Sequence, residues 1–378
     1  MSTSKTCLLL SFVLFSSSFL CGQNHTNIKQ IPQTLNNKSV RVFKTTHDQL
    51  GNIWMLSNDG ILVFDGYNYK SIKSKVIFPN WKENDGISDI ITDYNKDIWI
   101  TSVFGLISKY SVSKGQFENI SLLVKDNVRT IISKEKSIWL ASKEGVIYQY
   151  KDSKIDSITT IYNRNRPLKN IIDLAIVKPG ELFVSTTDGK IFNYSLTSKK
   201  TNELVGSFTD YPASLFLATD TNNKLWIGTA TFGLFVYDIM SKEFIQDQLF
   251  KKKKFNIHSE MFLTLFCDND GYMWGGTDGG GLYKVNTTSG EIQLYNQQDS
   301  NEFSLGSNTI IHINEDTNNN IWVTTNYGKL NVFPSANSNI RYHEGSANSS
   351  PLRILSIYKS SMGDIWAGTD GSGLTKIS

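Results

Sequence analysis

The sequence predicts an all-β fold assembled from eight copies of one four-stranded unit, and three observations carry that prediction. A bulky aromatic recurs at Trp54, Trp99, Trp139, Phe183, Trp226, Trp274, Trp322 and Trp366, with successive gaps of 45, 40, 44, 43, 48, 48 and 44 residues. Seven of the eight Trp residues in the chain occupy this one position. Around each aromatic the residues alternate with the period of two of a half-buried strand, as in Asn52-Ile53-Trp54-Met55-Leu56-Ser57, and a turn containing Gly follows. A repeat of this length is a four-stranded blade of a β-propeller and exceeds that of most helical or leucine-rich solenoids.

The strands of each unit follow in order. The innermost is an apolar run upstream of the aromatic, such as Ile87 to Ile91, Ile171 to Val177, Phe262 to Phe266 or Ile310 to Ile313. A turn of Asp, Asn and Gly leads out of it, as in Asp316-Thr-Asn-Asn-Asn320, because these side chains bond their own backbone and tolerate left-handed φ. The second strand carries the aromatic, whose large flat side chain fills the wedge between neighbouring blades. Next comes a turn with Gly60, Gly105, Gly145, Gly189, Gly233, Gly281, Gly328 or Gly373. The third strand ends near Phe64, Tyr110, Tyr150, Tyr194, Tyr237, Val285, Phe333 and Ile377, 11 residues after the aromatic in seven units and 10 in the first, which implies a hairpin of fixed length. A weaker outer strand closes the unit, as in Phe117 to Ile120 and Ile292 to Tyr295. No helical pattern with caps competes.

The N-terminus reads as a secretory signal over residues 1–22: Lys5 is the charged region, Leu8 to Phe15 the apolar stretch and Ser16 to Gly22 the cleavage region. A periplasmic location follows as an expectation. Of three cysteines, Cys7 and Cys21 leave with or border that signal, so Cys267 has no intramolecular partner and reads as an inert thiol. After residue 22 no apolar run is long enough to cross a membrane as a helix. Lys and Arg number 38 against 35 Asp and Glu, so composition gives no support to nucleic-acid binding.

Catalytic constellations are not visible. His25, His47, His258, His312 and His343 lack metal-ligand spacing, and His312, alternating within an inner strand, reads as a hydrogen-bonded structural residue. Asp316-Thr-Asn318-Asn-Asn320 and Asp268-Asn-Asp270-Gly271 mimic the start of a calcium loop, yet lack its sixth-position Gly and twelfth-position Glu, so they read as tight turns. They also resemble the Asp-box of sialidases, but the chain has no arginine cluster for a carboxylate substrate. No metal and no cofactor are expected. The run Lys251 to Lys254 reads as a solvated loop, with an acidic-glycan contact as the sharper alternative.

Propeller ligands commonly sit over the central channel, on the face formed by the loops entering the inner strands and the turns between second and third strands. Candidate ligand-binding residues there are Trp81, Arg129, His258 and Glu260 in the entering segments and Phe104, Phe232 and Tyr327 in the turns. Trp81 is the one Trp outside the repeat position. An aromatic flanked by polar groups suits a sugar ring.

The Asp-x-x-Gly-x-Ile-Trp-x-Gly-Thr-x-x-Gly-Leu unit, clearest at Trp226, Trp274 and Trp366, resembles the regulator-propeller repeat in the periplasmic sensor region of hybrid two-component systems of Bacteroidetes. The resemblance runs from about residue 40 to 378; the units at Trp139 and Phe183 lack the Asp-x-x-Gly approach, and Phe183 replaces Trp. It implies a non-catalytic sensor that binds an oligosaccharide and relays to a histidine kinase. Such sensors carry two seven-bladed propellers, an immunoglobulin-like domain, a membrane helix, a kinase and a receiver with a DNA-binding tail. This sequence is expected to be the sensing part alone, so membrane attachment would come through segments absent from it, and a homodimer is a candidate assembly. Residues 23–351 are then a seven-bladed propeller closed by Asn27 to Ile31, and residues 352–378 start a second one. If the chain is self-contained, the same N-terminal strand completes an eighth blade. Alternative readings are a secreted protein-interaction propeller and a propeller lyase.

Overall fold

The computed structural model describes residues 28–378 apart from positions 32–33, 36–37, 67, 83–84, 121–127, 135, 161, 164–165, 168–169, 179, 205–213, 251–256, 258–259, 299–303, 327–329, 336–353, 361–364, 370–372 and 378. Seven four-stranded antiparallel sheets and one three-stranded sheet account for the eight units. In blade one the strands are Val42–His47, Ile53–Ser57, Gly60–Phe64 and Tyr69–Ile72, from the inside outwards. The innermost strands of the next six blades are Ile87–Thr92, Val128–Lys134, Ile171–Lys178, Leu215–Thr219, Phe262–Cys267 and Ile310–Glu315. Each neighbours the next, and Ile310–Glu315 returns to pack beside Val42–His47, which closes a ring. At that seam the Thr45 amide donates to His312 Nδ1 at 3.3 Å and the Thr45 hydroxyl to Asn314 Oδ1 at 2.5 Å.

The outer strand of blade seven comes from the other end of the sequence: Lys29–Ile31 pairs antiparallel with Leu330–Phe333, with Lys29 opposite Val332 and Ile31 opposite Leu330. A strand donated across the seam removes the free edges that an open sheet stack would present. The eighth unit forms the strands Ile354–Lys359, Ile365–Thr369 and Gly373–Ile377. Its apolar side chains Leu355, Ile357, Tyr358 and Leu374 are about two-thirds exposed.

The repeated aromatic does the wedging its period predicts. Trp54, Trp99, Trp139, Phe183, Trp226, Trp274 and Trp322 are all at most 7% exposed. Each packs on the following blade, against the residue that ends that blade's third strand. Trp54 meets Tyr110 at 4.8 Å between ring centroids, Trp99 meets Tyr150 at 4.7 Å, and Trp274 meets Phe333 at 5.5 Å. Trp139 with Tyr194, Phe183 with Tyr237 and Trp226 with Val285 share interblade clusters in the same way, and Trp322 with Phe64 repeats the contact across the seam. The constant spacing from the aromatic to the strand end is thereby explained, since a shifted hairpin would move the wedge off its partner.

Two features go beyond the strand pattern. Single helical turns, Ser74–Ile77 and Gln246–Leu249, lie after the outer strands of blades one and five, and their ends tuck Phe78 and Phe250 into interblade clusters. Small two-stranded ribbons at Thr34–Leu35 with Lys38–Ser39 and at Tyr162–Asn163 with Arg166–Pro167 decorate the connections.

Candidate functional site

The two faces of the ring differ in what they leave free. On the face where the innermost strands end, an Asp stands six residues before the Trp in five blades. Its carboxylate accepts the indole N–H: Asp48 from Trp54 at 3.0 Å, Asp93 from Trp99 at 2.9 Å, Asp220 from Trp226 at 2.9 Å, Asp268 from Trp274 at 2.7 Å and Asp316 from Trp322 at 2.8 Å. The other oxygen takes backbone amides of the turn, such as Asn222 and Lys224 on Asp220 at 2.8 and 2.9 Å. Asp316 likewise accepts from Asn318, Asn320 and the Asn320 side chain. These carboxylates are thus committed to folding the turn. Among the described residues no group of three or more His, Cys, Asp and Glu is placed to hold a metal ion.

Beside these turns, burial and the neighbouring carboxylates of Asp268, Asp270 and Asp316 raise the Glu315 carboxyl to about 7, although it accepts the Asn269 amide at 3.0 Å. Burial and then Lys96 lower His47 to about 4. Burial, Asp220 and Asp268 push the Cys267 thiol up to about 12, which keeps it protonated and unreactive.

The opposite face is where the innermost strands begin, and there the second-to-third-strand turns rest on glycines in left-handed conformation. Gly60, Gly105, Gly145, Gly189, Gly233, Gly281 and Gly373 have φ between 77° and 96°. This face carries the candidate ligand residues. Phe104 is 54% exposed in the turn of blade two, beside Val103, whose amide donates to Gly86 of the entering loop at 2.7 Å. Trp81, in that loop, is partly buried and stacks on Phe78 at 5.6 Å and 11° between planes, so one ring face is spent on the blade-one to blade-two cluster. Phe232, in the turn of blade five, packs against the blade-four to blade-five cluster. Glu260, entering blade six, accepts the Tyr283 hydroxyl at 3.0 Å, and burial, followed by this carboxylate, raises the phenol well above its ordinary range. These four fall in two sectors of the rim, at blade two and at blades five and six. Arg129 lies in the innermost strand of blade three but its side chain is outside the described set, as are His258, Tyr327 and Lys251 to Lys254.

A further set, at the centre, escapes the repeat pattern. Near their start, the innermost strands of blades one, two, three, four, six and seven each carry an extra residue relative to the second strand, Phe43, Ser88, Arg129, Ile172, Leu263 and Ile311, and blade four carries a second one further on at Val177. Blade five lacks the bulge. The next residue in each strand, and Phe216 in blade five, lies opposite the position two after the repeated aromatic. That register places Lys44, Asp89, Thr130, Asp173, Phe216, Thr264 and His312 at one level around the channel. Lys44 pairs with Asp89. In sequence they stand ten residues before the aromatic, nine in blade three, a spacing that would have located them.

The comparisons with known proteins agree with this architecture. The family model for the two component regulator propeller matches residues 304–327, the strand pair around Trp322. Histidine kinase P4 of Formosa agariphila is 29% identical over 174 residues, 43% of this chain and 12% of that protein. The extracellular domain of a putative one component system from B. thetaiotaomicron superposes with a TM-score of 0.64 at 22% identity, over 94% of this chain and 46% of the other. That of a putative hybrid two component system from the same organism gives 0.64 at 21% identity, over 93% and 48%. A catalytically inactive virginiamycin B lyase from Staphylococcus aureus gives 0.61 at 13% identity, over 82% and 99%. This chain therefore spans about half the length of those extracellular domains and a small part of the kinase. No described helix is long and apolar enough to cross a membrane. The chain is a β-propeller whose residues 304–327 match the two component regulator propeller, and its described strands are those of the propeller blades.

Proposed function

We propose that this chain is the ligand-sensing propeller of an exported two-component-type sensor, and that its ligand is an oligosaccharide bound on the face where the innermost strands begin. The observation that carries the reading is the regulator-propeller repeat in a chain that aligns over more than nine-tenths of its length with extracellular domains of such systems. On this reading residues 1–22 direct export to the periplasm, residues 23–351 form the sensing ring, and residues 352–378 begin a second propeller whose next blade covers the exposed Ile357 and Leu374. Binding is relayed to a kinase outside this sequence, and the chain itself is non-catalytic. Calorimetry of the protein against a panel of polysaccharide-derived oligosaccharides tests it. Phe104→Ala, which removes an exposed ring, is expected to weaken a binding glycan with the melting temperature unchanged. Trp81→Ala is expected to weaken it too, with a small loss of stability from the Phe78 contact. A panel without any binder, or a binder indifferent to both changes, would overturn the assignment of this face.

A further inference from the structure

The level of the channel defined by Lys44, Asp89, Asp173, Phe216 and His312 has one charge without a counterpart. Residues on blades one, two, four and seven feel each other there: Lys44 and Asp89 act on Asp173, and Lys44 acts on His312. Blade four touches neither blade one nor blade two around the ring, so these influences cross the axis. Asp173 retains partial exposure although protein surrounds it, as a residue on a channel wall does. Lys44 is tied to Asp89. Among the described residues the Asp173 carboxylate accepts two backbone amides, Leu174 at 2.8 Å and Leu217 of blade five at 2.9 Å, and no described cation lies within ion-pair distance of it. Burial raises its carboxyl to about 6, against the lowering effect of the two amides and of Lys44.

The bond to Leu217 brings Asp173 beside Phe216, the ring-level residue of the blade without a bulge. Phe216 is partly exposed and belongs to none of the interblade clusters. A carboxylate without an ion-pair partner among the described residues, bonded one residue along the strand from an aromatic at the channel wall, is an environment that attracts an organic cation. The donor set lacks the additional carboxylates or imidazoles that a multivalent metal needs.

We propose that the channel at Asp173 and Phe216 binds a primary ammonium group carried by a small polar molecule, such as an amino sugar. The ammonium donates to the free lone pairs of Asp173 and rests against the ring of Phe216, while Lys44 stays with Asp89. The inference deepens the sensing reading, since it names a charged group on the ligand, and the test separates the two. The full chain is titrated with D-glucosamine and with D-glucose at neutral pH by calorimetry. Glucosamine is expected to bind saturably and ~10-fold or more tighter than glucose, a gap of about 1.4 kcal/mol. Asp173→Asn is expected to abolish that preference, and Phe216→Leu to weaken glucosamine several-fold with circular dichroism and melting unchanged. Equal binding of both sugars would remove the ammonium site and leave the glycan reading standing. No glucosamine binding, or binding indifferent to Phe216→Leu, would overturn the inference even if Asp173→Asn fails to fold.

Discussion

The bond between the turn carboxylate and the buried indole gives a sharp test in blade five. Asp220 accepts three donors: the amides of Asn222 and Lys224 and the Nε1–H of Trp226, which is fully buried. In Asp220→Ala the two amides recover water at the edge of the ring, at a net cost of about 0.5–1.5 kcal/mol each. The indole N–H is left buried without a partner, which costs about 1–3 kcal/mol. The sum is about 2–6 kcal/mol. Because the unfolding entropy grows with chain length, a propeller of this size should lose about 3–8 °C in melting temperature for that change. Asp220→Asn keeps an oxygen for the amides but turns its NH2 on the indole N–H, and should cost about half as much. The decisive measurement is a double-mutant cycle in urea: in a Trp226→Phe background, which has no indole donor, Asp220→Ala should cost about 1–2 kcal/mol less than in the parent. An equal cost in both backgrounds would refute the claim that the carboxylate is there for the indole.

Three further outcomes follow from the same geometry. A Cβ at Gly276 would fall 2.6 Å from Ile310 Cγ2 and 2.7 Å from Thr264 Cγ2, so Gly276→Ala should cost about 1–3 kcal/mol by overpacking, read as a shift in the urea midpoint. Gly105 has φ of 84°, and Gly105→Val should destabilise by about 1–2 kcal/mol where Gly51→Asn, at a turn with open space and φ of 82°, costs less than half of that. The Glu315 carboxyl rises from 4.5 to about 7, so the folded state holds its proton more tightly than the unfolded chain does. Its contribution is present below pH 4.5 and is lost as pH rises through about 7. Glu315→Gln should therefore gain stability over the parent by about 1–2 kcal/mol between pH near 5 and pH near 8, after allowance for solvent screening, and a constant difference across that span would exclude the effect.

The blade pattern was legible because one side chain per repeat must fill the same wedge. Its period therefore survives in a sequence whose strands are otherwise interchangeable. The turn glycines were legible for a similar reason, as left-handed φ at Gly60 or Gly281 leaves few alternatives. The Asp of the turn was visible as a spacing, and its bonds to the turn amides are those of a turn former, but its bond to the Trp six residues on was not foreseen, since nothing local points the indole nitrogen back across the turn. The channel set was missed because a single inserted residue decides which side chain faces the axis. In Val42-Phe43-Lys44 the insertion is hidden inside a strand that reads as continuous. The short helical turn before Phe78 was also unread, and with it the ring that occupies one face of Trp81.

The departures from the repeat fall on the consecutive blades three, four and five. Blade four has Phe183 where the others have Trp, and Val177 stands six residues before it in place of Asp. The two changes are consistent with each other, because a phenyl ring has no N–H for a carboxylate to receive. The adjoining blade five has the one unbulged innermost strand of the ring, and blade four holds it by side chains: the Ser185 hydroxyl donates to Leu215 O at 2.7 Å and Asp173 accepts from Leu217. The same level grips the next blade at the seam, where His312 accepts the Thr45 amide, but between blades four and five the acceptor is a carboxylate. Blade three, with Ser133 six residues before Trp139, also lacks the Asp but keeps the Trp, while blades one, two, five, six and seven keep the Asp and Trp pairing, so blade four alone has given up both partners. For the proposed ammonium site these departures matter together, because they set a carboxylate and Phe216, an aromatic outside the interblade clusters, on one sector of the channel wall.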